Sequence, residues 1–245
     1  MKVSILTIVY NGSATIRQSI DSVLKQDYSD IEYIIVDGGS TDGTQEIVRS
    51  YGDKIAKFTS EPDNGIYDAM NKGILLASGD VIGILNADDS YAFPTVISEV
   101  VQTMSSGAFD GVYGDLEYVD AAETVKRKWI SGAYKAGAFL NGWMPPHPTF
   151  FVRKKVYRKH GQFRLDLGSA ADYELMLRFV HKEGIKIGYL PKVLVKMKVG
   201  GVSNSTLKNR IAANRNDLKA WKINGLTPRF YTLWLKPLRK IRQFI

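Results

Sequence analysis

The 245-residue sequence has no cysteine, which excludes disulfides and thiolate metal sites and agrees with a reducing compartment. It has no uninterrupted apolar run of about 18 residues, the length a membrane-spanning helix needs. No cationic stretch followed by an apolar one and a small-residue cleavage site precedes the strand-like segment beginning at Val3, so the expected location is cytoplasmic. Zinc-finger, helix-turn-helix and RNA-sheet signatures are missing, and nucleic acid is not an expected partner. Acidic residues are nearly missing from one end. Residues 205–245 hold ten Lys or Arg against one acid, Asp217, a net +9 within a formal total of +8. The first 204 residues are thus close to neutral, and the basic character belongs to the tail.

What is present is mainly an alternation of strand and helix. Val3 to Val9 is apolar and β-branched, as a strand buried on both faces should be. Ile16, Ile20, Val23 and Leu24 fall at helical spacing, with Ser13 as the expected N-cap. A second strand over 31–36 ends at Asp37, a helix follows over about 42–51, and 54–60 reads as a third strand. Ile66, Ala69, Met70, Gly73, Ile74 and Ala77 form one helical face, and 80–85 is a short apolar strand running into Asn86-Ala87-Asp88-Asp89. This order predicts an α/β fold with parallel strands and right-handed crossovers. Ligands bind such sheets beyond the carboxyl ends of the strands, where Tyr10-Asn11, Asp37, Ser60-Glu61 and 86–89 deliver polar groups. In the second half, strands are expected over 109–119, 149–152 and within 185–199, an irregular connection over 120–146, and helices over 170–183 and 205–223.

Two adjacent acids after a buried strand are costly unless solvated, paired or bound to a cation. Mg²⁺ or Mn²⁺ takes oxygen ligands, commonly one or two carboxylates plus substrate phosphates, and neutralises a diphosphate leaving group as a Lewis acid. Capping of a helix after Phe93 fits Asp88 or Asp89 equally. Taken together, Val3 to Gly12, Ile35 to Thr44 and Leu85 to Asp89 resemble, in order and spacing, the successive signatures of family 2 glycosyltransferases, over residues 1 to about 204. The resemblance implies a GT-A fold, a Rossmann-like and mostly parallel sheet flanked by helices, here with a helical basic C-terminal extension. It further implies a nucleoside diphosphate sugar donor, typically UDP-linked, a divalent cation (Mg or Mn), and inversion at the anomeric carbon. The expected division is a GT-A domain over 1–204, with a nucleotide-binding half over 1–90 and an acceptor half over 91–204, then the extension over 205–245.

By position, the resemblance implies that Thr7, Val9 and Tyr10 line the nucleobase pocket, with Asn11 beside them. Asp37 would bond base or ribose, the alternative being a turn acid ahead of Gly38. Asp63, in the turn Glu61-Pro62-Asp63-Asn64-Gly65, would face nucleotide or sugar. Asn86 stands where the family's Asp-x-Asp has its first acid, and with Ala87 it borders the donor; Asp88 is the implied metal ligand and Asp89 its helper. His147, between Pro146 and Pro148, would complete the metal shell or bond a phosphate, though a buried structural histidine fits as well. Gly201 and Ser203 lie in a polar turn that would close over the diphosphate through backbone N–H groups. Asp172 resembles the family's catalytic base, with Ala171 where a Glu is usual. An inverting transfer needs such a base to take the acceptor's hydroxyl proton; Ser169-x-x-Asp172 also fits a helix capping box. Asp42 reads as a structural cap and Trp143 as core.

The tail from 226 interleaves aromatic and aliphatic residues with Arg and Lys. Pro237 would begin a helix with Leu238, Ile241 and Ile245 on one face and Arg239 and Arg242 off it. The expectation is peripheral contact with the inner face of the membrane, bringing the site to a lipid-linked or oligosaccharide acceptor in cell-surface polysaccharide synthesis. A solvated helix packed on the body or on a second subunit is the alternative. A processive synthase would carry membrane spans and Gln-x-x-Arg-Trp, and neither occurs. A sugar nucleotidyltransferase would carry a Gly-rich phosphate loop where Tyr10-Asn11-Gly12 stands. Asn86 and Ala171 keep a non-catalytic sugar- or nucleotide-binding scaffold as a further alternative.

Overall fold

The computed structural model describes residues 1–199, 207–241 and 243. Four strands, β1 (Val3–Val9), β2 (Ile31–Asp37), β3 (Lys57–Ser60) and β4 (Val81–Asn86), lie parallel in the order β3-β2-β1-β4. They are joined by α1 (Ile16–Leu24), α2 (Thr44–Arg49) and α3 (Ile66–Leu76), the crossovers that parallel strands require. Alternate residues of each strand serve opposite faces. Leu6, Ile34, Val36 and Ile82 join Met70 and Ile74 of α3 in one core. Val3, Ile5, Ile35, Val81 and Leu85 join Ile16 and Ile20 of α1 in a second. With both faces covered, these strands read as near-continuous apolar runs, which is why they were recognisable.

The sheet continues through strands of mixed direction. These are β5 (Asp89–Tyr91), β6 (Gly111–Val119), β7 (Val125–Trp129), β8 (Phe151–Arg153) and β9 (Ile187–Lys198), in the order β4-β8-β6-β9-β5 with β7 on β6. β8 runs antiparallel to β4 and β6, β6 parallel to β9, and β5 antiparallel to β9. Helices α4 (Val96–Ser106), α5 (Lys154–His160), α6 (Ala171–Met176), α7 (Leu207–Ile223) and α8 (Thr232–Ile241) complete the fold. Ala220 and Trp221 of α7 are wholly buried in the same core as α6.

Several local expectations are corrected. The cap of α1 is Thr15, not Ser13, and it makes no side-chain cap bond. Helix α4 is capped at Thr95, and Asp89 lies in β5 instead of capping anything. The 120–146 connection holds β7, a hairpin partner of β6. The last helix starts at Thr232, so Pro237 sits inside it.

At the amino end of β2, Glu32 ties strands together. Its buried carboxylate accepts Ser4 Oγ at 2.6 Å, Ser78 N at 2.6 Å and Ser78 Oγ at 2.7 Å. It also pairs with Lys57 at 3.1 Å and Lys2 at 3.6 Å. Burial works to raise its pKa, but the bonds from Ser4, Ser78 and Lys57 outweigh it and hold the carboxyl well below the usual range.

Candidate active site

Strand register assembles the site. Val9 pairs with Asp37, Asp37 with Ser60, and Ile8 with Asn86, so four carboxyl ends finish in one row. The loops above this row are stitched to one another. Asn11, at φ +49°, accepts from the N–H of Thr41 at 3.0 Å and donates its own N–H to Ser40 Oγ at 2.7 Å. Asparagine tolerates that left-handed backbone better than most residues. Gly12 N–H donates to Thr44 Oγ1 at 2.9 Å. Asp42 accepts from Ser13 N and Thr44 N at 3.0 and 3.1 Å, a structural role, but it does not cap α2, whose cap position is Gly43 without a side-chain bond. Its bonds from Thr44 and Ser13 hold its carboxyl well below the usual range.

The implied nucleobase residues divide into two groups. Thr7 is wholly buried and its hydroxyl pairs with that of Tyr33 at 3.0 Å; Val9 is buried as well. Their side chains shape the floor and do not reach the surface. Tyr10 is 67% exposed at the end of β1. Asp37 is also wholly buried, and its carboxylate accepts from Gly39 N at 3.2 Å, Ser40 N at 2.9 Å, Ser40 Oγ and Ser60 Oγ at 2.6 Å. Those four bonds set the turn after β2. Above that turn a β-carbon on Gly38 would stand 2.5 Å from Asp63 Oδ2 and 3.3 Å from the Tyr10 ring. Tyr10 and Asp63 therefore converge over a glycine, forming a cradle with an exposed aromatic face and a half-buried carboxylate. Asp63 Oδ1 is held by the N–H of Gly65 at 2.8 Å.

At the end of β4, Asn86 Nδ2 donates to Asp89 Oδ2 at 3.1 Å. The other oxygens of this pair, Asn86 Oδ1 and Asp89 Oδ1, are buried without a hydrogen-bond partner among the described residues. Burial, and then the neighbouring Asp88 carboxylate, push the Asp89 carboxyl well above its usual pKa. Ala87 is buried, and Asp88 is the half-exposed acid of the motif. Among the described residues no group of three or more His, Asp or Glu side chains gathers around one point. Asp88, Asp89 and His147 therefore form no preassembled cage. The orphaned oxygens and Asp88 nonetheless suit a hard cation whose remaining ligands come from substrate phosphates.

His147 lies within electrostatic reach of Asp172. Burial lowers its imidazole pKa, and the nearby Asp172 carboxylate opposes that shift. The imidazole meets the ring of Phe163 edge-on at 5.4 Å, and Phe163 packs on Tyr67 at 5.4 Å. Burial of the Tyr67 phenol, then the nearby Asp172 carboxylate, push its pKa well up. Asp172 is half-buried and accepts from Tyr173 N at 2.7 Å. The capping-box alternative is not realised: α6 is capped at Ala170 without a side-chain bond. Ala171 is wholly buried. Asp89 and Asp172 both act electrostatically on the phenol of Tyr118 in β6, which links the two halves of the site. Gly201 and Ser203 lie outside the described residues.

Tyr67, Tyr118 and Glu174 had no assigned role in the sequence. Glu174, wholly buried, pairs with Arg178 at 2.9 Å, and Arg178 holds the carbonyl of Gln162 at 2.7 Å. The i,i+4 spacing of Glu174 and Arg178 was the available signal; nothing local announces Tyr67. Trp143 is core, its indole N–H bonded to Ser131 O at 2.8 Å. An open groove of about 530 Å³ along α1, lined by Gln18, Asp21, Ser90 and Phe93, shares none of the site residues.

A family model described as glycosyl transferase family 2 matches residues 4–170. An uncharacterized glycosyltransferase of Mycobacterium tuberculosis is 32% identical over 186 residues, 72% of this chain and 68% of its own. Among solved structures, S. aureus TarS 1-349 in complex with UDP superposes with a TM-score of 0.69 at 19% identity, covering 90% of this chain; this chain spans 65% of that one. A mannosyltransferase from Pyrobaculum calidifontis in complex with GDP-Man and Mn²⁺ gives 0.69 at 17% identity, covering 96% of this chain and 72% of its own. At those identities the structural likeness is one of fold.

Proposed function

The chain belongs to glycosyltransferase family 2, and from that membership we propose that it moves one sugar, with inversion, from a UDP-linked donor to a glycan hydroxyl. The observation that carries this reading is the convergence of exposed Tyr10 and Asp63 over Gly38, on the strand edge that also holds Asn86 and Asp88. Tyr10 offers a ring face to a nucleobase and Asp63 an acceptor to base, ribose or sugar hydroxyls. Such stacking on an aromatic side chain contributes about 1–3 kcal/mol per base. Asp88 and the amide oxygen of Asn86 would hold a divalent ion. When bound there, the ion supplies Lewis-acid neutralisation of the leaving diphosphate.

Asp172 acts as general base. Its carboxylate takes the proton of the acceptor hydroxyl as that oxygen attacks the anomeric carbon from the face opposite the diphosphate. The new carbon–oxygen bond forms while the bond from the anomeric carbon to the diphosphate oxygen breaks, and the nucleoside diphosphate departs. Tyr67 and the imidazole of His147 interact electrostatically with the Asp172 carboxylate, and favouring one orientation of it is their role. The acceptor is a lipid-linked or oligosaccharide glycan of cell-surface polysaccharide synthesis, met at the cytoplasmic face of the membrane. Among the described residues no helix is long and apolar enough to cross a membrane.

A thermal-shift screen of UDP, GDP, dTDP and CMP, with and without Mn²⁺, on wild type and Asp88→Ala tests the donor site. A nucleotide at 100 times its dissociation constant adds about 2.7 kcal/mol of apparent stability. UDP with Mn²⁺ should raise the melting temperature, and Asp88→Ala should abolish the rise. No shift with any nucleotide would refute the reading. The buried Ala171, where the family usually has an acid, favours one second reading, a nucleotide-binding scaffold. Stabilisation by UDP without any release of UDP from UDP-sugars in the presence of acceptor glycans would establish it.

A further inference from the structure

Helix α8 is fastened to the body by one face. Thr232 Oγ1 donates to Leu140 O at 2.6 Å, and Lys236 Nζ pairs with buried Asp217 at 2.7 Å while lying 3.7 Å from the centre of the Tyr173 ring. A β-carbon on Gly142 would meet the backbone N of Lys236 at 2.5 Å, so the helix lies directly on that turn. Among the described residues, no element packs over the opposite face. Trp234 and Leu238, four apart on α8, are 75% and 54% exposed, and Phe230 in the turn before the helix is 91% exposed and lines the same groove as Trp234. The groove, apolar and about 450 Å³, lies between α7 and α8. Exposed Lys222, Arg229 and Arg239 flank these side chains. The only acid in 205–245 is Asp217, which is buried against Lys236.

We propose that this face seats the protein on a bilayer surface rich in anionic phospholipid, with Phe230, Trp234 and Leu238 in the interface and Lys222, Arg229 and Arg239 at the headgroups. An exposed aromatic and aliphatic patch flanked only by cations is the chemistry such a surface recognises. A hydrophilic protein partner would leave the patch in water. The seat is coupled to the base, because Trp221 of α7 donates to the Tyr173 hydroxyl at 2.8 Å and Tyr173 follows Asp172. Only its purpose, presenting a lipid-linked acceptor to Asp172, rests on the proposed transfer; the binding itself does not.

The experiment is flotation of the full chain with vesicles of phosphatidylcholine alone or mixed with phosphatidylglycerol, without nucleotide or acceptor. Wild type should float with the anionic vesicles. Phe230→Ser/Trp234→Ser/Leu238→Ser, in which only exposed side chains change, should float at least about tenfold less. Each of Lys222→Gln, Arg229→Gln and Arg239→Gln should weaken partitioning about fivefold. Trp emission should shift to the blue on vesicles in wild type and not in Trp234→Phe, since Trp143 and Trp221 are already buried and the half-buried Trp129 lies in β7, outside the proposed seat. Asp172→Asn should float as wild type does, which separates this seat from the catalytic reading. Equal flotation of wild type and triple variant would overturn the proposal. So would a wild-type dimer in sedimentation that the triple variant loses while neither binds vesicles, which would make the face an interface between copies.

Discussion

Replacing Asp172 by Asn separates the chemistry of the site from its architecture. The amide has the same shape, and its oxygen can still accept the Tyr173 N–H that the carboxylate accepts at 2.7 Å. The side chain is half-buried and caps no helix. Folding stability should therefore change by no more than about 0.5 kcal/mol. What is lost is the proton acceptor, and removing a positioned general base lowers the rate roughly 10²- to 10⁴-fold. That corresponds to about 2.7–5.4 kcal/mol in the barrier. The donor cradle at Tyr10 and Asp63 is untouched, so KM for the UDP-sugar should stay near the wild-type value. The assay is initial-rate release of UDP across donor and acceptor concentrations, with a melting curve of both proteins. A kcat within about threefold of wild type would refute the assignment of the base. A large fall in both kcat and melting temperature would make Asp172 a structural residue.

Tyr67→Phe removes only the phenol that interacts electrostatically with Asp172, and looser positioning of the base predicts a roughly 10- to 100-fold lower kcat with donor affinity unchanged in the same assay. Gly38→Ala sets a β-carbon 2.5 Å from Asp63 Oδ2; isothermal titration should show UDP binding weakened roughly tenfold with little change in melting. Glu32→Gln, at the far end of β2, should cost about 2–4 kcal/mol in urea unfolding and leave kcat alone, because Lys57 and Lys2 lose their buried partner. Since the folded pKa of Glu32 is depressed, its contribution is complete above the ordinary carboxylate pKa of about 4.3 and is lost as pH falls towards the lower folded value. The wild type should therefore lose stability in acid more steeply than Glu32→Gln. His147 also has a lowered folded pKa through burial, so the unfolded chain takes up its proton first and stability falls as pH drops below about 6.5. His147→Phe should flatten that part of the urea-unfolding profile.

The nucleotide half was readable because its signals are local. β1 to β4 are short apolar runs separated by helical periodicity, and parallel strands buried on both faces leave that pattern in any sequence. The polar carboxyl ends followed from the order of elements alone, and the register of Val9, Asp37, Ser60 and Asn86 brings those ends together. Trp143 as core and Asp42 as a structural bond were also readable, because each depends on near neighbours or on plain hydrophobicity.

The rest depended on contacts between distant residues, which periodicity does not encode. Asp89 becomes a buried strand residue only because β9, more than a hundred residues later, pairs with it. The bonds that Ser60 gives Asp37, and that Tyr33 shares with Thr7, join residues that only the fold brings together. Tyr67 acquires its neighbour Asp172 only when α3 and α6 meet on one face of the sheet. The tail was readable as basic and amphipathic, but which of its faces meets water was decided by Asp217, Leu140 and Gly142 holding the other one down. Composition and spacing thus determined the family of folds and the edge where the ligand belongs. Tertiary packing decided which side chains at that edge keep a free polar atom, because burial and pairing, not residue type, set what a carboxylate can still bind.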